Sequence, residues 1–461
     1  MIRLFRHYIP HAVIMFGLCD LALLVLAGDL AWHLRGFQIG TDVGPFYQRL
    51  LPILGFTLVC SLSLVSVGAY GPEALRSPRY AFARAMVALS IGGVALAVID
   101  FVLPTVGLWR STLLYALGIG LFLVGAVRIA LSHAVDREGF KRRVVVLGAG
   151  ARAARLKELA AREDSGFIIA GFISMSEAHR VLPEAIAREQ LGDMGTYVAR
   201  LRASEVVLAL EERRNALPLA DLLRVRTRGI PVQEVTSFLE RETGRLDLDT
   251  LNPSWLIFSD GFSAGRRYSS VAKRAFDIVV SSLLLIVSLP VIALFAVLVK
   301  LDSKGPAFFR QQRVGLYGRP FTVLKLRSMR TDAEKDGARW ASENDPRITR
   351  LGRFIRKVRI DELPQTWSVL KGEMSFVGPR PEVPHFVNDL EDKLPYYAER
   401  HMVKPGITGW AQINFPYGAS IEDARHKLEY DLYYAKNYTP FLDLLILLQT
   451  LRVILFPAGA R

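Results

Sequence analysis

Cysteine is almost absent from this 461-residue chain: Cys19 and Cys60 are the only two, and both lie in apolar stretches. That excludes a disulfide framework and a cysteine-rich zinc site. The eight histidines are scattered along the chain, so a histidine-based metal centre is disfavoured too. Acidic residues are in deficit, 44 against 58 Lys and Arg, which leaves a formal net charge of +14. Apolar residues nevertheless make up 51% of the chain. Nucleic-acid binding accounts for the charge but not for the hydropathy, and no helix-turn-helix, zinc-finger or RNP signature accompanies it. A membrane protein facing anionic lipid and phosphorylated substrates accounts for both. The length calls for two or three domains.

What the chain does have is long apolar runs. Four of them, about 11–34, 49–69, 83–104 and 111–131, each approach the roughly 20 residues that a membrane-spanning helix needs. A cleaved signal peptide accounts only for the first, and no A-x-A site follows it. Arg3 and Arg6 precede the first run, Arg76, Arg79 and Arg84 surround the second loop, and Arg137, Lys141, Arg142 and Arg143 follow the fourth. The other loops carry only Arg35, Arg49 and Arg110 at their margins. By the positive-inside rule both ends of this four-helix bundle are cytoplasmic.

"RRVVVLGAGARAARLKELA" then reads as a strand, a glycine turn and a helix. Gly148, Gly150 and Ala153 fit GxGxxG/A, the turn whose bare N–H groups can meet a pyrophosphate. A second strand, "GFIIAGFIS", ends in Ser174 where a ribose-binding acid would stand. "SEVVLAL" and a short run near Ile230 continue the alternation. The expectation is a Rossmann-like domain with a structural or regulatory role rather than a dinucleotide site.

Ile278 to Val299 is again long enough to span. Lys273 and Arg274 precede it, however, and Lys300, Lys304, Arg310 and Arg313 follow. A crossing would export a strongly basic region against the positive-inside rule. Ser288 and Pro290 sit near its middle; proline removes a backbone donor, and serine can satisfy a freed carbonyl. The expected solution is a re-entrant helix, residues 274–300, that breaks near Pro290 and returns to the same face.

Basic residues far outnumber acids from Lys300 to Arg359, and there "RIDELPQTW" sets Asp361 beside Glu362. The plain reading of that pair before Pro364 is a helix cap. "MSFVGPRPE" holds Arg380 between two prolines, a preset guanidinium suited to phosphate. "VKPGITGWAQ" is a second restrained turn with exposed polar groups. The tail "FLDLLILLQTLRVILF" is too short and polar-dotted to span, and reads as a helix in the interface or packed on the domain.

From about Lys273 to Pro457 the chain resembles the monotopic phosphoglycosyl transferases, bacterial sugar transferases that initiate glycan assembly on polyprenyl phosphate. "KRAFD", "KLDSKGPAFFRQQRVG", "KLRSM", "DPRITRLGRFIRK", "IDELPQ", "MSFVGPRPE" and "KPGITGWAQ" carry the resemblance, in that order. The added N-terminal helices and Rossmann-like domain resemble the family's long form. The resemblance implies transfer of a sugar-1-phosphate from a UDP-sugar to polyprenyl phosphate, with release of UMP and with Mg2+. It implies Asp361 as nucleophile, Glu362 as metal ligand, Arg380 on phosphate, and Lys325, Arg327, Arg356 and Gln365 around the substrate. One departure stands out: after "GWAQ" the common family pattern is Val-Asn-Gly-Arg, whereas this chain reads "INFPYG", an ending that resembles an exopolysaccharide-associated subgroup.

The architecture expected is therefore a membrane protein of mixed α and α/β class. It has a transmembrane bundle over 1–136, a Rossmann-like domain over 137–265, and a mainly helical catalytic domain over 266–461 on the cytoplasmic face of the inner membrane. Asp361 is expected to stay ionised through the helix dipole and neighbouring arginines. Its partners are the bilayer, a UDP-sugar and polyprenyl phosphate, with no nucleic acid; the resemblance leaves open a homo-oligomer and downstream glycosyltransferases. Two competing readings are a membrane-anchored Rossmann nucleotide-sugar oxidoreductase or dehydratase, and a lipid-binding scaffold without catalysis.

Overall fold

Hydrophobic length decides the N-terminal third. In the computed structural model, which describes residues 2–4, 7–9, 11–70, 78–102, 108–134, 141–162, 165–176, 180–211, 217–258, 267–333, 345–415, 418 and 420–455, a short antiparallel pair, β1 (Ile2–Leu4) and β2 (His7–Ile9), precedes four long helices. These are α1 (His11–Ile39), α2 (Phe46–Ser66), α3 (Pro78–Val102) and α4 (Arg110–Ala134). Leu24 and Ala31 of α1, Phe56, Cys60 and Leu64 of α2, Ala85 and Leu89 of α3, and Ala116 and Val124 of α4 share one buried cluster. Their outward positions, among them Leu18, Leu58, Val94 and Phe122, are apolar and exposed. Helices apolar all round suit lipid, where only internally bonded backbone is tolerated. With Ser270–Asp302, five helices among the described residues are long and apolar enough to cross a membrane. The chain is a membrane protein. The flanking Arg6, Arg76 and Arg137 lie outside the described residues.

The most deeply buried charges of this apolar region, Arg128 and Asp20, are paired, as their cost there demands. Arg128 donates to Asp20 and to the carbonyl of Ala69, both at 2.6 Å, and its guanidinium lies 5.2 Å from the Tyr70 ring centroid. Arg84 donates to the carbonyl of Gly68 next door. The turn that ends α2 is thus held by α1, α3 and α4 together.

Two compact units divide the chain: Met1–Ser132 with Ser259–Arg461, and His133–Phe258. The second holds a parallel sheet of β3 (Arg142–Leu147), β4 (Phe167–Ser174), β5 (Ile186–Ala187), β6 (Glu205–Leu208) and β7 (Val232–Glu234), in the order β5-β4-β3-β6-β7. Counted within the unit, that is 3-2-1-4-5, the doubly wound order. Helices α5 (Ala151–Ala160), α6 (Met194–Arg200), α7 (Leu219–Thr227), α8 (Val235–Thr243) and α9 (Pro253–Phe258) complete it. Phe167 and Phe238 meet edge to face on one side of the sheet, while Met194, Val198 and Val225 fill the other.

The C-terminal region begins with α10 (Arg267–Asp302), then the hairpin β8 (Phe308–Val314) and β9 (Pro320–Leu326). After α11 (Arg350–Lys357) comes a 3-10 turn, Ile360–Gln365, that runs into α12 (Thr366–Lys371). β10 (Ser375–Val377) pairs parallel with β11 (Gly406–Thr408), and α13 (Pro384–Lys393) lies between them in sequence. The chain closes with α14 (Trp410–Asn414), α15 (Ile421–Asn437) and α16 (Pro440–Leu455). The tail helix is a packed element, as read from its length: Leu442 and Ile446 are fully buried, and Arg452 covers the α-carbon of Gly68 at the end of α2.

The expected break at Ser288 and Pro290 is not a gap in the helix, because α10 runs through both residues. Nor does Ser288 relieve the carbonyl that proline frees; its hydroxyl is buried and makes no hydrogen bond. Both ends of α10 are nonetheless fastened to the same C-terminal fold. Lys273 donates to the carbonyl of Val377, Tyr434 and Asp443, and Arg274 to the carbonyls of Val369 and Leu370. On the far side of Pro290, Ile292 and Val299 pack with Leu326 and Ile355. Between them Leu283, Ile286, Val287 and Leu289 are exposed and apolar.

Gly148 has φ +135°, and a Cβ there would lie 2.3 Å from the carbonyl oxygen of Ala209. Gly148→Ala is expected to destabilise the Rossmann-like unit by about 3 kcal/mol or more, through strain and collision with backbone that cannot yield. Limited proteolysis across the 133–258 unit measures this, with no change expected in α1–α4.

Candidate active site

The two adjacent acids are set by a turn of the tighter kind. In a 3-10 turn residues i and i+3 eclipse, and here Ile360 and Leu363 both pack onto the apolar cluster of Ile292, Val299, Leu326 and Ile355. Asp361 and Glu362, lying between these anchors, are carried away from that cluster. The turn starts at Arg359, which holds left-handed backbone at φ 60° and makes no side-chain capping bond. The capping reading of the pair therefore gives way: both acids sit inside the first turn, 8% and 9% exposed, and the Oδ1 of Asp361 is buried without a hydrogen-bond partner.

Glu362 is the electrostatic centre. Its Oε1 accepts from Arg380 at 2.8 Å and from Lys325 at 3.2 Å, with Arg359 at 3.8 Å. Burial opposes its charge, but these cations win and hold the carboxyl far below the usual range. The same pairing pushes Arg380 further up, while burial pushes the Lys325 ammonium below its ordinary range. Asp361 behaves in the opposite way. Burial, and then the charge of Glu362, raise its pKa against the lowering pull of Lys325, Arg356 and Arg359. The expectation that dipole and arginines dominate at Asp361 is corrected: desolvation outweighs them because Glu362 has already taken the nearest cations.

Lys325 stands near the end of β9, opposite Phe309. Arg380 follows β10, in a turn whose glycines interlock. A Cβ on Gly378 would sit 2.2 Å from the carbonyl oxygen of Lys404, and one on Gly406 would sit 2.1 Å from the nitrogen of Gly378. "VGPRPE" and "KPGITGW" are thus two halves of one backbone-to-backbone contact, and Thr408, expected to be exposed, is buried against Thr450 of α16. Arg356 acts on Asp361 through its charge, and Gln365 is buried in the 3-10 turn.

Arg327 is elsewhere. It is buried and donates to the carbonyls of Val299, Ser303 and Lys304 and to the Ser303 hydroxyl. Cations favour the negative end of a helix, and Arg327 closes the C-terminus of α10 rather than facing substrate. Sequence reasoning also passed over Arg359, Arg313 and Arg400. No signal separated them from a solvated basic face, since the partner an arginine meets leaves no mark in its neighbours.

Hard oxygen donors suit Mg2+, which takes one or two carboxylates and completes its shell with substrate phosphates. Glu362 and the unpartnered oxygen of Asp361 fit that role, for a metal arriving with a diphosphate. Among the described residues no third His, Cys, Asp or Glu joins them.

The family described as bacterial sugar transferase matches residues 268–457. A sugar transferase of Bacillus subtilis (strain 168) is 45% identical over 195 residues, 41% of this chain and 91% of that protein. The chain belongs to the bacterial sugar transferase family. A UDP-N-acetylgalactosamine-undecaprenyl-phosphate N-acetylgalactosaminephosphotransferase of Aeromonas hydrophila is 43% identical over 240 residues, 52% of this chain and 56% of that one. An undecaprenyl-phosphate glucose phosphotransferase of Komagataeibacter xylinus is 44% identical over 199 residues, 42% of this chain and 37% of that one. The match thus spans about half the length of the Aeromonas hydrophila relative and less of the Komagataeibacter xylinus one. The family's region holds every site residue above. Of the departing "INFPYG" ending, Pro416 and Tyr417 lie outside the described residues.

The Rossmann-like turn lies outside the family match. Gly150 precedes α5, and there the backbone N–H of Arg152 is taken by Glu211 at 2.9 Å. The carbonyl of Ala149 accepts from Val181 and Leu182, and Ser174 turns its hydroxyl to the carbonyl of Ser176. A carboxylate of the chain itself sits where a pyrophosphate would bind.

Opposite shifts at neighbouring acids give opposite mutational signs. The folded pKa of Asp361 lies above its unfolded value, so stability falls as pH rises through that window and stays lower above it. Glu362 is depressed, so its contribution is present at neutral pH and lost as pH falls. At pH 7 Asp361→Asn is expected to raise the melting temperature. Glu362→Gln is expected to cost about 2 kcal/mol, less than the ~3–5 kcal/mol of a fully buried pair because Arg380 is 35% exposed. Thermal unfolding of the purified variants in one detergent at pH 7 reads both signs.

Proposed function

We propose that this protein transfers a sugar-1-phosphate from a UDP-sugar to polyprenyl phosphate, yielding polyprenyl-diphosphate-sugar and UMP, the first step of exopolysaccharide or other surface-glycan synthesis. The observation that carries the reading is the unequal pair: Glu362 neutralised by Arg380 and Lys325, and Asp361 beside it with a buried, unpartnered oxygen. Relatives named for undecaprenyl-phosphate phosphotransfer, with N-acetylgalactosamine or glucose, support the substrate class.

Phosphoryl transfer asks the protein for position and charge. Arg380, Lys325 and Arg359 receive the diphosphate and hold its charge. The carboxylate of Asp361 attacks the sugar-bearing phosphorus. The bond to the bridging oxygen breaks, and UMP leaves with that electron pair. Asp361 then carries the sugar-phosphate as an acyl phosphate. An oxygen of polyprenyl phosphate attacks the same phosphorus, and the aspartyl oxygen leaves as free carboxylate. Glu362, with Asp361, would hold Mg2+ arriving with the substrate, and the metal would supply charge neutralisation. Two steps at one residue separate a donor in water from an acceptor in lipid.

The membrane helix supports the same reading as a re-entrant one. A straight α10 would put Lys273 and Val299 about 39 Å apart, at ~1.5 Å per residue. Yet Lys273 and the carbonyl of Val299 are each bonded within one charged, mixed fold. A bend at Pro290 reconciles this with a helix whose exposed middle faces lipid, and it leaves the catalytic residues on the cytoplasmic face of the bacterial inner membrane. Single cysteines at Ser269 and Ser303 are expected to react with an impermeant thiol reagent from one side only. Labelling from opposite sides would show a spanning helix.

The chemistry is tested with purified protein, Mg2+, polyprenyl phosphate and a panel of UDP-sugars, following UMP. Without acceptor, mass spectrometry is expected to find a sugar-phosphate on the peptide holding Asp361. Asp361→Asn is expected to lower turnover by about 10³-fold or more, equivalent to about 4 kcal/mol of barrier. Lack of an adduct with every donor, together with sequential kinetics, would reduce Asp361 to a base or ligand.

A further inference from the structure

Arg380 is aimed by a strut, and the strut has a second arginine inside it. Four consecutive carbonyls, of Pro379, Arg380, Pro381 and Glu382, each accept a hydrogen bond from a different donor. Gly406 N–H reaches Pro379 at 2.9 Å, Arg400 reaches Arg380 at 3.0 Å, Arg313 reaches Pro381 at 3.0 Å, and Val314 N–H reaches Glu382 at 2.9 Å. Prolines flank Arg380 and fix their own φ, so these bonds define the path of the residue whose side chain makes the shortest ion pair to Glu362.

Three of the donors come from main chain or from a partly exposed hairpin arginine. The fourth is buried. Arg400 lies in the 3-10 helix Tyr397–Met402 with its side chain 5% exposed, and it pairs with Asp431 of α15, 3% exposed, at 2.7 Å. Its Nε and Nη2 meet Asp431, Nη2 also meets the Arg380 carbonyl, and Nη1 meets the Tyr397 hydroxyl, over whose ring the guanidinium lies at 5.2 Å. A planar fork with donors in fixed directions can serve all three acceptors at once; an ammonium cannot.

We propose that Arg400, oriented by Asp431, is a positioning residue for the transfer reaction: it fixes the main chain at Arg380 and thereby keeps that guanidinium on Glu362 and the substrate diphosphate. The reading rests on the transferase function proposed above. Arg400 touches no substrate, and its effect passes through Arg380 alone.

A double-mutant cycle separates positioning from general damage. Arg400→Lys is expected to lower kcat/KM for the UDP-sugar about 10²-fold with its melting temperature close to that of the parent. In an Arg380→Ala background the same change is expected to cost less than about threefold. Equal losses in both backgrounds would overturn the proposal, because a structural lesion costs the same whether or not Arg380 is present. Asp431→Asn, which leaves every donor of Arg400 in place, is expected to follow the same pattern with a smaller loss, and it reads the cycle if the lysine variant does not fold. Amide hydrogen exchange gives a readout without turnover. Peptides covering 375–383 are expected to exchange faster in Arg400→Lys while those from α10 do not change; uniform acceleration, or none, would overturn the proposal. Should the parent release no UMP from any donor, the transferase reading fails, and the exchange experiment still decides whether Arg400 holds the strut.

Discussion

Everything at this site depends on how one buried carboxylate is compensated. Glu362 sits almost out of water, where an unpaired charge would be driven to protonate. Arg380 and Lys325 prevent that, one from the turn after β10 and one from the end of β9. Because a single oxygen of Glu362 takes both close contacts, these cations lie nearer to it than to Asp361. Asp361 is left in the same low-dielectric pocket with only more distant help, so its charge is costly and its oxygen is free. An acid that is costly as an anion and keeps one buried oxygen without a hydrogen-bond partner suits the nucleophilic role proposed for it. Two adjacent carboxylates in one turn thus acquire different chemistry from where the arginines point.

The support for this arrangement is mostly buried polar contact around the membrane helix. Asp277 accepts from the Ser375 hydroxyl and the Phe376 amide, Lys273 holds the carbonyl of Val377, and Arg327 closes the other end of α10. The segment that meets lipid is therefore the one to which β10, and through it Arg380, is fastened. Asp443 of α16 completes the contact at Lys273, and the same helix carries Arg452 to the end of α2. Within that unit, apolar membrane helices and the fold that holds the two acids share a continuous set of contacts, as the proposed transfer from a water-soluble donor to a lipid acceptor would require.

Elements set by period and length were legible in the sequence. The four N-terminal helices, the strands at "RRVVVL", "GFIIAGFIS" and "SEVVL", and the apolar helix through Pro290 stand where hydrophobic runs put them. Asp361, Glu362, Lys325 and Arg380 were legible as types and as motifs, and they do converge. Two things were not legible. One was which arginines are spent on structure: Arg327 caps a helix and Arg400 carries a strut, yet both look in sequence like Arg356. The other was the balance of fields at Asp361, because burial and a neighbour's claim on shared cations are properties of packing. Ser288 shows a third limit, since a residue able to satisfy a carbonyl need not be turned toward it.

The Rossmann-like unit shows the same ambiguity from the other side. Its strand order and its Gly148–Gly150 turn are those of a dinucleotide fold. The reason for glycine at 148, however, is the carbonyl of Ala209 pressed against it, a contact of the sheet with itself. The N–H of Arg152, in the first turn of α5, meets Glu211, whose charge complements the positive end of the helix as a phosphate would. A ligand entering there would have to displace a charge already paired with Arg152 and then meet Ser174, which offers no carboxylate to a ribose. The glycine pattern is accounted for by packing and the helix end by a side chain, so no property of the turn is left over that a cofactor is needed to explain.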